Sequence, residues 1–141
     1  RLNLENHVTE VLNQDDFSPA ACQGAVGVQA LKNNNYLSIF SKINNLTTQT
    51  ECQAERKVLK IINANCNSPI SVVSRIINNE IRIKVQFLNH MGESIFSKTY
   101  IDIKDHYDQL SEMIGKEIIK KVGEKQIEQL NKLENDFDYT P

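Results

Sequence analysis

The side chains most able to do chemistry in this sequence are the thiols of Cys22, Cys52 and Cys66. Cys66 lies in the polar, turn-prone stretch 63–69, a short connector that would leave its thiol within reach of a reaction partner. A thiolate there would be a good nucleophile and could form a stable thioether. An ordinary loop cysteine is the competing interpretation, and Cys66 alone does not decide between the two.

The cysteine and histidine spacings argue against disulfides and metals. An odd number of widely spaced cysteines does not resemble a disulfide framework, and there is no Cys-x-x-Cys or Cys/His cluster for zinc. His7, His90 and His106 are scattered. We therefore expect a reduced, cytoplasmic protein with no metal, in which Cys22 and Cys52 are packed side chains.

Composition argues against a generally basic protein, although local basic patches stay possible. The 141 residues carry 16 basic and 18 acidic side chains, a formal net charge of -2. This balance indicates neither a nucleic-acid-binding surface nor a polybasic membrane anchor. No apolar run approaches the roughly 18 residues typical of a membrane span. The first residue is Arg1 rather than Met, so we expect a processed or shortened chain.

The first 45 residues contain three weak periodic patterns. Apolar spacing over 1–12 favours a helix face, and 33–45 favours a short helix. Between them, 20–30 is small and apolar, and Val26 and Val28 predict a buried strand.

A stronger helix signal follows. The Thr-x-x-Glu pattern from Thr48 to Glu51 is typical of a capping box, in which hydroxyl and carboxylate satisfy free backbone donors. It predicts a helix over about 49–62, with Cys52 and Leu59 among its inward residues.

Alternating apolar residues then predict three strands, over 70–77, 80–88 and 94–103. The separators, Asn78-Asn79 and 89–93, have good hairpin chemistry. The pattern is typical of an antiparallel meander with one solvated face.

The sequence ends with helical signals. Asp105 can cap a long helix that Gly123 would terminate, and 127–133 suggests one more helical segment before a frayed tail over 135–141. The apolar stripe of the long helix comprises Leu110, Ile114, Ile118 and Val122.

These elements predict an α+β fold in which helices pack on one face of a three-stranded antiparallel sheet. The predicted domain spans 45–141, and 1–44 is expected to lie outside it.

Three stretches in register resemble porphobilinogen deaminases. Residues 19–28, Pro-Ala-Ala-Cys-Gln-Gly-Ala-Val-Gly-Val, are similar to that family's Gly-Gln-Gly-Ala turn. Residues 52–56 contain its Ala-Glu-Arg helix. Residues 64–70, Ala-Asn-Cys-Asn-Ser-Pro-Ile, are similar to its Gly-Gly-Cys loop, and the meander and final helix also fit its third domain.

The resemblance implies an enzyme of haem and porphyrin biosynthesis that condenses four porphobilinogen molecules into hydroxymethylbilane. It implies that Cys66 carries a dipyrromethane cofactor through a thioether, and that Gln23 and Gly24 contact the pyrrole chain or serve as a hinge. The family's catalytic aspartate and carboxylate-binding arginines belong to its first two domains, of which 1–44 would be the end. This chain alone is therefore expected to be inactive, and the whole protein is expected to be a monomer.

Two departures from the family pattern bear on the loop shapes. Ala64-Asn65 replaces the usual Gly-Gly, and Cys22 replaces the first glycine of the turn. We expect a differently shaped cofactor loop and a stiffer hinge. Glu55 and Arg56 are interpreted as a structural ion pair or an interface contact rather than as catalytic groups.

A second hypothesis comes from a different class of protein, a non-catalytic α+β binding module with incidental cysteines. If the chain stands alone as a fragment, its first forty or so residues lose their usual partners, and we expect their apolar side chains to promote self-association.

Overall fold

A computed structural model describes residues 2–33 and 35–132. Arg1 of the predicted first helix, Leu133 and the predicted tail 135–141 lie outside these ranges. The helices are α1 (Leu37–Phe40), α2 (Leu46–Ile61), α3 (Tyr107–Val122) and α4 (Glu124–Asn131), and the strands are β1 (Ile70–Ile77), β2 (Glu80–Leu88) and β3 (Ser94–Ile103). Short 3-10 turns occur at Glu5–His7, Ser41–Ile43 and Lys104–His106.

The sheet is the predicted antiparallel meander, in the order β1-β2-β3, and all three strand predictions are confirmed. Its register pairs Val72 with Val85 and Ile83 with Tyr100, so these four side chains share one face. Side chains of α2 and α3 cover that face, as the predicted α+β fold requires. The fully buried apolar residues are Ala54, Val58, Val72, Ile81, Ile83, Val85, Phe87, Ile114 and Ile118.

The two faces of β3 have different roles. Register places Phe96 and Tyr100 on the core face, and Tyr100 is buried. Ile101 and Ile103 point to the opposite face and remain about half exposed. The second face of the sheet therefore keeps apolar surface at its β3 edge.

The predicted start of α2 is wrong by one turn. The N-cap is Asn45, whose side chain accepts a hydrogen bond from the Thr48 amide at 3.0 Å. Because Asn is as good a cap as Thr and precedes it, the helix begins at Leu46 and Thr48 lies inside it. Cys52 and Leu59 are half-buried rather than central to the core.

The long helix α3 differs from its prediction only at its start. A 3-10 turn precedes it, and Asp105 does not cap it through its side chain. Leu110, Ile114 and Ile118 are buried as predicted, with Val122 half-buried. Gly123 ends the helix at a φ of 91°, a conformation that favours glycine.

The N-terminal predictions are mostly wrong. The stretch 2–12 forms only the 3-10 turn at Glu5–His7, and 20–30 forms no strand. Val26 is 94% exposed and Val28 is exposed as well, so neither side chain packs against the rest of the domain. The short helix over 33–45 is confirmed in part, by α1 and the 3-10 turn that follows it.

The stretch 15–22 nevertheless contacts the domain. The Lys84 ammonium donates to the Asp15 carbonyl at 2.9 Å, and the Ser71 hydroxyl donates to the Pro19 carbonyl at 2.5 Å. Register places Ser71 and Lys84 on the face of the sheet away from the helices. The chain therefore crosses that face before it turns toward α2. None of the helices in 2–33 and 35–132 has the length and apolar character needed to cross a membrane.

Candidate functional site

The Cys66 loop, residues 63–69, joins α2 to β1, and Cys66 is exposed on it. Within the turn, the Asn65 amide donates to the Ser68 hydroxyl at 2.8 Å, and the Asn67 amide donates to the Asn65 side-chain oxygen at 2.8 Å. The Ser68 amide donates back to the Asn65 carbonyl at 3.1 Å. Cys66 therefore lies at the tip of a hydrogen-bonded turn.

The end of α4 fixes this loop from outside. The Asn131 amide group donates to the Asn63 carbonyl at 2.9 Å, and its side-chain oxygen accepts from the Ser68 hydroxyl at 2.6 Å. The Asn65 side chain donates to the Asn131 carbonyl at 2.9 Å. Sequence reasoning missed Asn131, because no local pattern links it to a loop more than sixty residues earlier.

The replacement of Gly-Gly by Ala64-Asn65 does not strain the loop. Asn63 takes the left-handed conformation, with a φ of 51°, while Ala64 and Asn65 do not have positive φ values. Asn tolerates that conformation better than most residues. The shape of the loop is thus compatible with the residues that depart from the family pattern.

The turn at Cys22, Gln23 and Gly24 lies beside the first half of α2. Cys22 has a φ of 58° and Gly24 a φ of 86°, so Cys22 holds a conformation that a glycine would adopt more easily. The Cys22 amide donates to Glu55 at 2.5 Å, and its thiol lies 3.7 Å from the Cys52 carbonyl. Burial, followed by contact with Cys52, raises the pKa of the Cys22 thiol to about 12. Cys22 is therefore a protonated, packed thiol rather than a nucleophile.

Glu55 has a structural role. It is 5% exposed and accepts hydrogen bonds from the Ser74 amide at 2.7 Å and the Ser74 hydroxyl at 2.9 Å, besides the Cys22 amide. Arg56 is exposed, and across the described ranges it forms no ion pair with Glu55. The ion-pair interpretation is wrong, and hydrogen bonds to neutral partners hold the buried carboxylate instead.

A cleft of about 240 Å³ lies between the 19–25 turn and α2, and Gln23, Gly24, Glu51 and Arg75 are among its lining residues. Glu51 accepts a hydrogen bond from the Ile76 amide at 2.8 Å at the free edge of β1. This cleft and the Cys66 loop are separate places.

The structure does not bring Gln23 and Gly24 to Cys66. The cleft touches α2 at Cys52 and Glu55, and the Cys66 loop begins after the last turn of the helix. From Cys52 to Ile61 the helix rises about 14 Å. Within the described part of the chain, no three His, Cys, Asp or Glu side chains are grouped so that they could hold a metal ion.

Comparison with known proteins places this chain beside one family. A family model described as "Porphobilinogen deaminase, C-terminal domain" matches residues 49–124. The curated porphobilinogen deaminase of Clostridium kluyveri is 34% identical over 119 residues, which is 84% of this chain and 40% of that protein. The porphobilinogen deaminase of Campylobacter lari is 31% identical over 130 residues, covering 90% of this chain and 42% of the relative.

The porphobilinogen deaminase of Clostridium acetobutylicum is 28% identical over 124 residues, or 88% of this chain and 40% of the relative. The chain thus spans about two fifths of the length of the curated relatives that it matches.

Proposed function

Because this chain belongs to the porphobilinogen deaminase family, we propose that the protein containing it joins four porphobilinogen molecules into hydroxymethylbilane. Each condensation releases ammonia, and hydrolysis releases the linear product. The protein would act as a cytoplasmic, monomeric transferase of porphyrin and haem biosynthesis. In this proposal 45–141 is the cofactor-bearing domain, and 1–44 ends the domains that contain the catalytic aspartate and the carboxylate-binding arginines.

The observation that carries the proposal is the exposed thiol of Cys66 on a fixed loop, inside the segment that matches the family. The residues fit a thioether-linked dipyrromethane, since Cys66 is accessible and its thiol forms no hydrogen bond within 2–33 and 35–132. When bound, that group supplies the primer on which the product is assembled. Cys66 holds it covalently, and the turn made by Asn65 and Ser68 holds Cys66.

The roles of Gln23 and Gly24 rest on the resemblance alone. We propose that the exposed Gln23 side chain contacts the pyrrole chain from the rim of the cleft, while Gly24 gives the turn its left-handed bend. Since their turn contacts the middle of α2 and Cys66 follows the end of that helix, such contact requires a pyrrole chain that extends well beyond its attachment at Cys66.

The decisive experiment is the intact mass of the complete gene product containing this chain, made in cells with normal porphobilinogen supply. We expect an excess equal to two linked pyrroles that is lost in Cys66→Ser and kept in the matched control Cys52→Ser. An unmodified mass in the folded wild-type protein would contradict the assignment and favour the non-catalytic binding module.

Activity gives a second test. The 141-residue chain alone is expected to leave porphobilinogen unconsumed, because the acid/base and carboxylate-binding groups of the family lie outside it. If the purified chain consumed porphobilinogen and its Cys66→Ser variant did not, the assignment of the catalytic groups to segments outside this chain would be contradicted.

A further inference from the structure

The Cys66 loop is held by a side chain that the proposed chemistry does not use. Asn131, the last residue of α4, reaches the loop at three points. Its side chain donates to the Asn63 carbonyl and accepts from the Ser68 hydroxyl, and its carbonyl accepts from the Asn65 side chain. These contacts bracket Cys66 on both sides.

Ser68 transmits the effect of Asn131 into the turn. Its hydroxyl has a single proton, which it donates to Asn131 at 2.6 Å, and this leaves its oxygen free to accept the Asn65 amide at 2.8 Å. Without Asn131 the hydroxyl could rotate toward other acceptors, and the Asn65 amide would lose a fixed partner.

The helix that carries Asn131 is packed against the core. Ile127 and Leu130 of α4 are buried in the core, so the Asn131 side chain projects from a packed helix end. The Cys66 thiol has no hydrogen bond of its own in the described ranges. The backbone of the turn sets the position of the Cys66 Cα–Cβ bond, and the contacts of Asn131 with Asn63, Asn65 and Ser68 hold that backbone.

We propose that Asn131 is a positioning residue that fixes the loop carrying Cys66 and so sets the place at which its thiol is presented for attachment of its cofactor. This inference rests on the proposed function for the identity of the attached group. The geometric part, that Asn131 fixes the loop, stands independently of that function and has its own measurement.

The first measurement is amide hydrogen exchange in this chain. Asn131→Ala should accelerate exchange of the Asn65 and Asn67 amides about fivefold, the effect of losing roughly one hydrogen bond. The matched control Gln129→Ala removes an exposed amide side chain from the same helix and should leave both rates unchanged. Unchanged exchange in the β1 amides verifies folding. Equal rates in Asn131→Ala and Gln129→Ala would overturn the proposal.

Asn131→Asp provides a graded variant if the alanine variant folds poorly. It keeps an acceptor for Ser68 but loses the donor to the Asn63 carbonyl. Exchange rates between those of the wild type and Asn131→Ala are expected. Rates equal to those of Asn131→Ala would contradict the role given to the Ser68 contact.

The second measurement uses the complete protein in its cofactor-free form, incubated with porphobilinogen, whose aminomethyl carbon bonds to the Cys66 sulfur while its C–N bond breaks and the amine leaves with the thiol proton as ammonia. Mass gain on Cys66 should be about tenfold slower in Asn131→Ala than in Gln129→Ala, while the melting temperatures agree within a few degrees. Equal rates of mass gain would overturn the positioning role. If the wild-type protein gains no mass on Cys66, the proposed function fails, and hydrogen exchange alone decides whether Asn131 fixes the loop.

Discussion

Glu55 joins three parts of the molecule through one carboxylate. It sits on α2, accepts from the backbone and hydroxyl of Ser74 on β1, and accepts from the Cys22 amide in the N-terminal turn. A buried carboxylate without a cationic partner is tolerable only because its oxygens are hydrogen-bonded. Glu55 is therefore an element of the architecture, although it lies in the Ala-Glu-Arg motif that marks the family.

Glu55→Gln should lower the free energy of unfolding by about 1–3 kcal/mol. The amide would turn an N–H toward either Ser74 or Cys22, both of which donate, and one contact would be lost. Urea unfolding of this chain measures the change, with the exposed Glu128→Gln as a control expected within about 0.5 kcal/mol of the wild type. Equal stability of the two variants would contradict the bridging role.

The exposed cysteine of the candidate site could be predicted from the sequence, but the residues that hold its loop could not. An exposed Cys66 in a polar connector was predicted, since seven polar and turn-forming residues between a helix and a strand lie at the surface. The supporting Asn131 was not predictable, because contacts between distant residues depend on tertiary packing. Asn63, not Ala64 or Asn65, takes the left-handed conformation, and local propensity alone did not distinguish these positions.

Among the elements, α2 and α3 are in close contact at Gly115. A Cβ at that position would lie 2.6 Å from the Ile61 side chain, far inside van der Waals contact. The absence of a side chain at Gly115 thus sets the separation of the two helices that cover the sheet.

Gly115→Ala should destabilise the chain by about 1–3 kcal/mol despite the higher helix propensity of alanine, because the two helices must move apart. Gly27→Ala is the matched control, since nothing lies within 4 Å of its added methyl group and its φ is not positive. Thermal unfolding compares them. A Gly115→Ala variant as stable as Gly27→Ala would refute the close packing of the helices.

The contact between β3 and α3 predicts a dependence of stability on pH. The Tyr100 hydroxyl donates to Glu117 at 3.0 Å, and Lys98 donates to the same carboxylate at 2.8 Å. Burial, then Glu117, raises the pKa of Tyr100 above its ordinary 10.0, while the hydrogen bond from Lys98, then that from Tyr100, lowers the pKa of Glu117 below 4.5. Folding thus favours the neutral tyrosine and the ionised glutamate.

The Tyr100 contribution to stability should be complete below pH 10 and be lost as the pH rises further, whereas that of Glu117 should be lost as the pH falls below 4.5. Tyr100→Phe should therefore flatten the alkaline side of the stability profile, and Glu117→Gln the acidic side. Urea unfolding across this range is the measurement, with Tyr107→Phe as control. Stability profiles of Tyr100→Phe and Glu117→Gln that run parallel to the profile of Tyr107→Phe would contradict the contribution of this contact.

Elements with a buried face were predictable, and those without one were not. Apolar residues recur every second position in the strands and every third or fourth position in α3, so each element has one apolar face that packs in the core. The stretches 1–12 and 20–30 carry similar residues, but within the described ranges they lack a surface on which to bury them. Tertiary contact, rather than local pattern, decides whether such stretches form helix or strand.

At the scale of the whole molecule, the exposed apolar residues concentrate in the N-terminal third. Val11, Val26 and Leu31 are each more than 80% exposed, and Ile43 and Leu46 are also exposed. Soluble monomers rarely leave so many large apolar side chains in one region uncovered.

The isolated chain is therefore predicted to self-associate. Its sedimentation coefficient should rise with concentration, and the double variant Val26→Ser/Leu31→Ser should reduce that rise, because it removes two of the most exposed apolar groups. Lys32→Ser in the same stretch is the control. A sedimentation coefficient independent of concentration in the wild-type chain would count against this prediction.

The carboxylates of Glu51 and Glu55 also cover part of the free edge of β1. They accept the Ile76 and Ser74 amides, two of the donors that β1 would otherwise offer to a fourth strand. A β-strand of another molecule could pair with β1 at these positions only by displacing the two glutamate side chains. Fibril-like growth, in which strands of successive molecules stack by backbone pairing, is thus hindered on the β1 side, and of the two edge strands in the described part of the chain β3 is the more open to it.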